Sequence, residues 1–153
     1  MTPLFLLEAL REVIYEKIKG MTIEERPVQV RTGFLPPKIN KPDSDPDEEN
    51  TVPFVLVRLL EGEDTFDHAG VTVAIYVCTW SESEKGWRDA VNVMMAIRLL
   101  LEQYPTLDER YRLEYPFKWK MFEDQPWPEW FGAITTKWEF AKPQSLEGLE
   151  GGW

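Results

Sequence analysis

The sequence predicts an α+β fold: two helices packed on one face of a mainly antiparallel sheet of about five strands. Three observations carry this. Two segments, 3–19 and 83–104, place apolar residues at helical spacing. Val71–Trp80 is a nearly continuous β-branched and aromatic run, the mark of a central strand. Tyr111–Phe122 alternates strictly, with Tyr111, Leu113, Tyr115, Phe117, Trp119 and Met121 apolar and Arg112, Glu114, Lys118 and Lys120 between them.

In chain order, Thr2 reads as a helix cap and Pro3 occupies the first turn, where its missing N–H does no harm. Leu6, Leu7, Leu10, Val13, Ile14 and Ile18 form the buried stripe, and Gly20 is expected to end the helix in a left-handed conformation. Val28–Phe34 alternates as a first strand, ended by Leu35-Pro36-Pro37. Lys38–Asn50 is a polar arm with Asp43, Asp45, Asp47, Glu48 and Glu49 and little apolar content, so a mobile loop is expected. Its spaced aspartates do not make a calcium loop, because Pro46 interrupts them and no glycine supplies the turn.

Pro53–Leu60 is the second strand, and Glu61–Gly70 is expected to turn the chain back into Val71–Trp80. Ser81, with Glu84 three residues on, fits a capping box opening the long helix, which Pro105 stops after Tyr104. Leu99 and Leu100 widen that helix's apolar face beyond what one sheet needs; either it is covered on two sides or it meets another subunit. Pro116 marks the strand Tyr111–Phe122 as an edge or as bulged. Glu123–Glu129 is a proline-punctuated turn, and Trp130–Phe140 is the last strand, with Trp130, Ile134, Thr136, Trp138 and Phe140 on one face.

The chain of 153 residues reads as one domain, 1–142, followed by a flexible Gly-rich tail, 143–153. The net charge of -10, from 17 Lys+Arg against 27 Asp+Glu, opposes tight binding to a phosphate backbone. No apolar run is long enough to span a bilayer, and Met1–Leu10 lacks the basic start and cleavage site of a signal peptide. A single cysteine, Cys78, excludes an internal disulfide and suits a reducing compartment.

Catalytic chemistry has no obvious carriers. The one His and one Cys lie ten residues apart, and neither GxGxxG nor a P-loop occurs. A metal site at Glu61, Glu63, Asp64, Asp67 and His68 is weakly supported, since a single His with no neighbouring thiol is a poor ligand set. The expectation is therefore no enzyme activity, no cofactor and no metal. Trp119, Trp127, Trp130 and Trp138 offer stacking surfaces, but few basic residues interleave with them. A peptide- or sugar-binding module using the Trp127/Trp130 region is the alternative to an assembly role.

The order of elements, with the phrases Pro53-Phe-Val-Leu-Val-Arg58, Glu61-Gly-Glu-Asp64, Gly86-Trp-Arg-Asp89 and Gln125-Pro-Trp-Pro-Glu-Trp-Phe-Gly-Ala-Ile-Thr-Thr-Lys-Trp-Glu-Phe140, resembles the tail-terminator, tail-completion and head–tail joining proteins of tailed bacteriophages and prophages. The resemblance runs from about Thr2 to Lys142. It implies a structural subunit that forms a ring, typically a hexamer, on the tail tube. The implied partners are further copies of itself, the tail-tube protein and head-connector proteins, with DNA passing through unbound and no membrane involved. The implied location is the virion tail, and the host cytoplasm during assembly. It supplies no catalytic residues. Interface positions expected from the chain itself are Asp43, Asp45, Asp47, Glu48, Glu49, Glu61, Glu63, Asp64, Leu99, Trp127 and Trp130.

Overall fold

The computed structural model describes residues 2–34 and 53–141. The fold is α+β. Its elements are α1 (Pro3–Ile18), β1 (Thr22–Ile23), β2 (Arg26–Pro27), β3 (Gln29–Thr32), β4 (Phe54–Asp64), β5 (His68–Trp80), α2 (Trp87–Gln103), β6 (Thr106–Leu107), β7 (Tyr111–Met121) and β8 (Glu129–Ala141). The main sheet has six strands in the order β3-β4-β5-β8-β7-β6, one more than expected, and β1 pairs separately with β2. Every pairing is antiparallel except β3 with β4. A parallel pair needs a long crossover, and the chain between Thr32 and Phe54 has the length to supply one.

β5 sits centrally because its apolar run can be covered on both faces. Val73, Ile75 and Val77 are wholly buried against the helices, together with Ile134 and Trp138 of β8. On the opposite face Cys78 joins Phe54 and Leu56 in a second cluster, flanked by Tyr76, Trp80 and Phe131. Both helices lie on the first face: Leu6, Leu10, Ile14 and Ile18 of α1 and Val93, Met94, Ile97 and Leu101 of α2 share one core with the sheet. α1 and α2 also pack on each other, so α2 is covered from two directions, yet Leu99 remains 49% exposed.

Several expectations are corrected. α2 begins at Trp87, not near Ser81, and Gly86 is its cap residue without a side-chain cap bond. The Ser81 hydroxyl instead accepts the N–H of Ser83, which holds residues 81–86 as a separate turn. Gly20 is not left-handed, for Lys19 caps α1 in a right-handed conformation; the one glycine with positive φ among the described residues is Gly33, at 89° after β3. The acidic turn expected over 61–70 is mostly strand. β4 and β5 stay in register to Asp64 and Ala69, past a bulge between Leu59 and Glu61, because ladder hydrogen bonds tolerate charged side chains that point into solvent.

β7 is both an edge and bulged. Its register against β8 shifts between Glu114 and Lys118, around Pro116, and β6 covers only Tyr111 and Arg112. The shift ends the expected burial: Tyr111 and Leu113 are buried, while Tyr115 and Trp119 are 62% and 45% exposed. The arm 38–50 and the tail 143–153 lie outside the described residues. Among the described residues no helix is long and apolar enough to cross a membrane.

Candidate functional site

The residues singled out from the sequence do not converge on one site. Register places them at opposite ends of β8: Thr79 pairs with Trp130 near its start, and His68 pairs with Ala141 at its end. At about 3.3 Å per residue these ends are roughly 35 Å apart.

At the first end, Trp127 and Trp130 clasp the turn that precedes α2. Trp130 donates its indole N–H to the Ser81 carbonyl at 3.0 Å, and Trp127 donates to the Glu82 carbonyl at 3.3 Å. A Cβ on Gly86 would stand 2.5 Å from the Trp130 indole nitrogen and 2.6 Å from Ser81 Cβ, so only glycine fits beneath the ring. Gln125 completes this end by donating to the carbonyls of Phe122 and Phe131 and accepting the Phe131 N–H. Trp130 is thus a packing residue, half-buried, and its polar edge is already used. Trp127 is 60% exposed, and among the described residues no second ring pairs with it to sandwich a sugar or base.

At the other end, Glu61 and Glu63 line a groove of about 500 Å³ with His68, Glu114, Tyr115, Lys137 and Glu139. Asp64 points to a neighbouring hollow with Pro3 and Phe140. Polar groups in this region hold one another. Arg112 bridges Glu139 at 3.0 Å and Glu114 at 3.3 Å. His68 Nδ1 lies 3.0 Å from both the Asp67 carboxylate and the Thr65 hydroxyl. Hydrogen bonds with His68 and then Thr65 hold the Asp67 carboxyl below its ordinary range. Hydrogen bonding with Glu114, and then with Arg112, does the same for Glu139.

Among the described residues no group of three or more His, Cys, Asp and Glu side chains could hold a metal ion. His68 and Cys78 occupy the two ends of β5, ten residues and roughly 30 Å apart, and Cys78 is wholly buried, so they cannot act as a base and nucleophile together.

A third surface runs along the open edge of the sheet, which Pro116 marked in the sequence without showing what lies beside it. Trp119 stands on the helix side of β7 beneath Arg98 of α2, whose guanidinium carbon lies 5.8 Å from the ring centroid. Leu99 is a further exposed apolar residue of α2. Lys118 and Lys120 project from the same edge on the other side of the strand, exposed and in no ion pair among the described residues. A feature the sequence did not single out is Phe66, 99% exposed at the tip of the β4–β5 hairpin. The alternation of lysine with aromatics in 117–122, and a lone Phe among acids, were the signals available for both. Asp43, Asp45, Asp47, Glu48 and Glu49 lie outside the described residues.

No family model matches this chain. No curated protein matches it either. Among solved structures, a chain of the virion of a native gene transfer agent particle is similar at 14% identity and a TM-score of 0.45, over 88% of this chain and 96% of that one. Similarity at this level assigns neither a family nor a role.

Proposed function

We propose that this chain is a structural subunit of a tailed-phage or prophage tail, assembling into a ring of about six copies that terminates the tail tube, joins the tail to the head connector, or does both. The observation that carries the reading is the open β7 edge beside α2. An edge strand leaves backbone donors and acceptors unpaired, and here it carries the exposed ring of Trp119. A ring covers such an edge in every copy. The sequence phrases that resemble tail-terminator and head–tail joining proteins supply the biological setting.

In this reading the partners are further copies of the chain, the tail-tube protein and head-connector proteins. The surplus of acidic residues keeps DNA moving through the lumen without adhesion, since like charge repels phosphate. The chain acts without catalysis or cofactor, in the host cytoplasm during assembly and then in the virion tail. The binding-module alternative is weakened by the structural employment of Trp130.

Deleting the coding segment from the phage or prophage that carries it tests the role. The expected result is heads and tails that accumulate unjoined, with tail tubes of uncontrolled length or open ends. Normal particles from the deletion would contradict the proposal.

A further inference from the structure

We infer that the acidic tip of the β4–β5 hairpin of one copy docks on the β7–α2 edge of the next; this rests on the ring reading above and specifies the contact that closes it. The two surfaces are opposite in charge. The segment 61–67 carries Glu61, Glu63, Asp64 and Asp67 and no basic residue. The segment 115–122 carries Lys118 and Lys120 and no acidic one. In a chain of net charge -10, copies repel on average, so a basic edge is the part of the surface to which an acidic tip is drawn.

They also match in apolar content. Phe66 is 99% exposed and gains nothing from the fold of its own chain. Trp119, 45% exposed on β7 beneath Arg98 of α2, presents an aromatic face for it. Aromatic anchors of this kind, seated in a patch with a charged rim, carry most of the free energy of small interfaces.

The geometry fixes the symmetry. The tip extends from the β4–β5 pair, and the edge belongs to the fifth strand of the sheet. One copy therefore offers two different patches, and the contact is heterologous. Such contacts propagate head to tail and close into a ring when the rotation between copies closes, whereas a self-complementary patch stops at a dimer. Salt acts on the two charge effects unequally. Repulsion between whole subunits is screened beyond about 8 Å at physiological ionic strength, and partly desolvated contact pairs are screened much less.

A charge exchange tests the inference, read by sedimentation velocity. One variant carries Lys118→Glu and Lys120→Glu, the other Glu63→Lys and Asp64→Lys; all four side chains are exposed. Each variant alone should need a protein concentration about tenfold or more above the wild type to associate, because its two substituted side chains now face like charge across the contact. Mixed in equal amounts, the two should associate again, since the lysines at 63 and 64 then face the glutamates at 118 and 120, and the native tip faces the native edge. Misfolded variants cannot give that recovery. Phe66→Ala should weaken association without changing charge. A wild type that associates while neither variant differs from it overturns the inference and leaves the ring reading standing. Failure of the mixture to recover also overturns the pairing of these two patches. Edge variants that self-associate normally but lose a second tail protein assign the edge to that partner and overturn it too. A wild type that stays monomeric throughout overturns the inference together with the ring.

Discussion

Trp138 donates its indole N–H to the hydroxyl of Thr136, two residues back on the same face of β8, at 2.8 Å, and Thr136 in turn donates to the Val73 carbonyl at 2.9 Å. Both side chains are wholly buried, so the relay connects the largest wholly buried side chain among the described residues to the central strand by direct hydrogen bonds. Thr136→Val keeps the shape and removes both bonds, leaving the indole N–H without a partner. The expected loss is about 1–3 kcal/mol in urea unfolding. Thr79→Val is the control, because Thr79 is equally buried and its hydroxyl has no partner among the described residues. That change should be neutral or slightly stabilising. Equal losses at the two sites would count against the relay.

Gly86 is expected to resist substitution for steric reasons. Its φ of -60° is accessible to any residue, so the obstacle is the Trp130 ring and Ser81 Cβ. Gly86→Ala should cost about 1–3 kcal/mol by displacing Trp130. Tryptophan fluorescence of the folded variant should shift as the indole loses its bond to Ser81. An unchanged spectrum and midpoint would show that the turn relaxes freely.

The Arg112–Glu139 pair sets a pH dependence. Glu139 is held below its ordinary value of 4.5, through Glu114 first and Arg112 second. A carboxyl with a depressed folded pKa stabilises the fold above its unfolded value and loses that contribution as pH falls through the folded one. The window therefore lies below about pH 4.5. The pair is exposed, so the effect on stability is small. Arg112→Gln should move the Glu139 titration upward in a carboxyl-resolved NMR experiment. A titration unchanged by the substitution would remove Arg112 from the account.

The parts of the fold that were legible in the sequence are those set by long periods. Leu6–Ile18 and Ala90–Leu101 announce helices, and Val71–Trp80 announces the centre of the sheet, because each pattern is repeated enough to outweigh local exceptions. The two-residue strands β1, β2 and β6 were not legible. The β1–β2 hairpin turns through Glu24 and Glu25 with φ of 51° and 64°, and the turn before β7 uses Asp108 and Glu109 at 51° and 54°. Such turns ordinarily advertise themselves with Gly or Asn, and here they do not. Ser81 and Glu84 carried a valid capping signal that tertiary packing overrode, since the turn they occupy is fixed from outside by Trp127 and Trp130.

The candidate surface was legible only in pieces. Leu99 stood out as apolar excess, and Pro116 marked the edge. Glu61, Glu63 and Asp64 stood out as charge, but as a loose turn instead of the far end of a paired hairpin. That Trp119 lies beneath Arg98 of α2 depends on which strand α2 crosses, and periodicity holds no information about that. Trp130 shows the reverse error, for an aromatic in a proline-rich phrase suggests recognition, whereas its N–H and ring are consumed by the turn at Ser81 and Gly86.

The central claim is closed self-association, and the mass of the associated species tests it most directly. Native mass spectrometry, with sedimentation across protein and salt concentration alongside it, reads that mass. A ring of about six copies of an 18.0 kDa chain has a mass near 108 kDa and should appear as one discrete species, favoured by higher protein concentration and moderate salt. Monomer under every condition, coupled with absence of the chain from purified tails, would contradict the account.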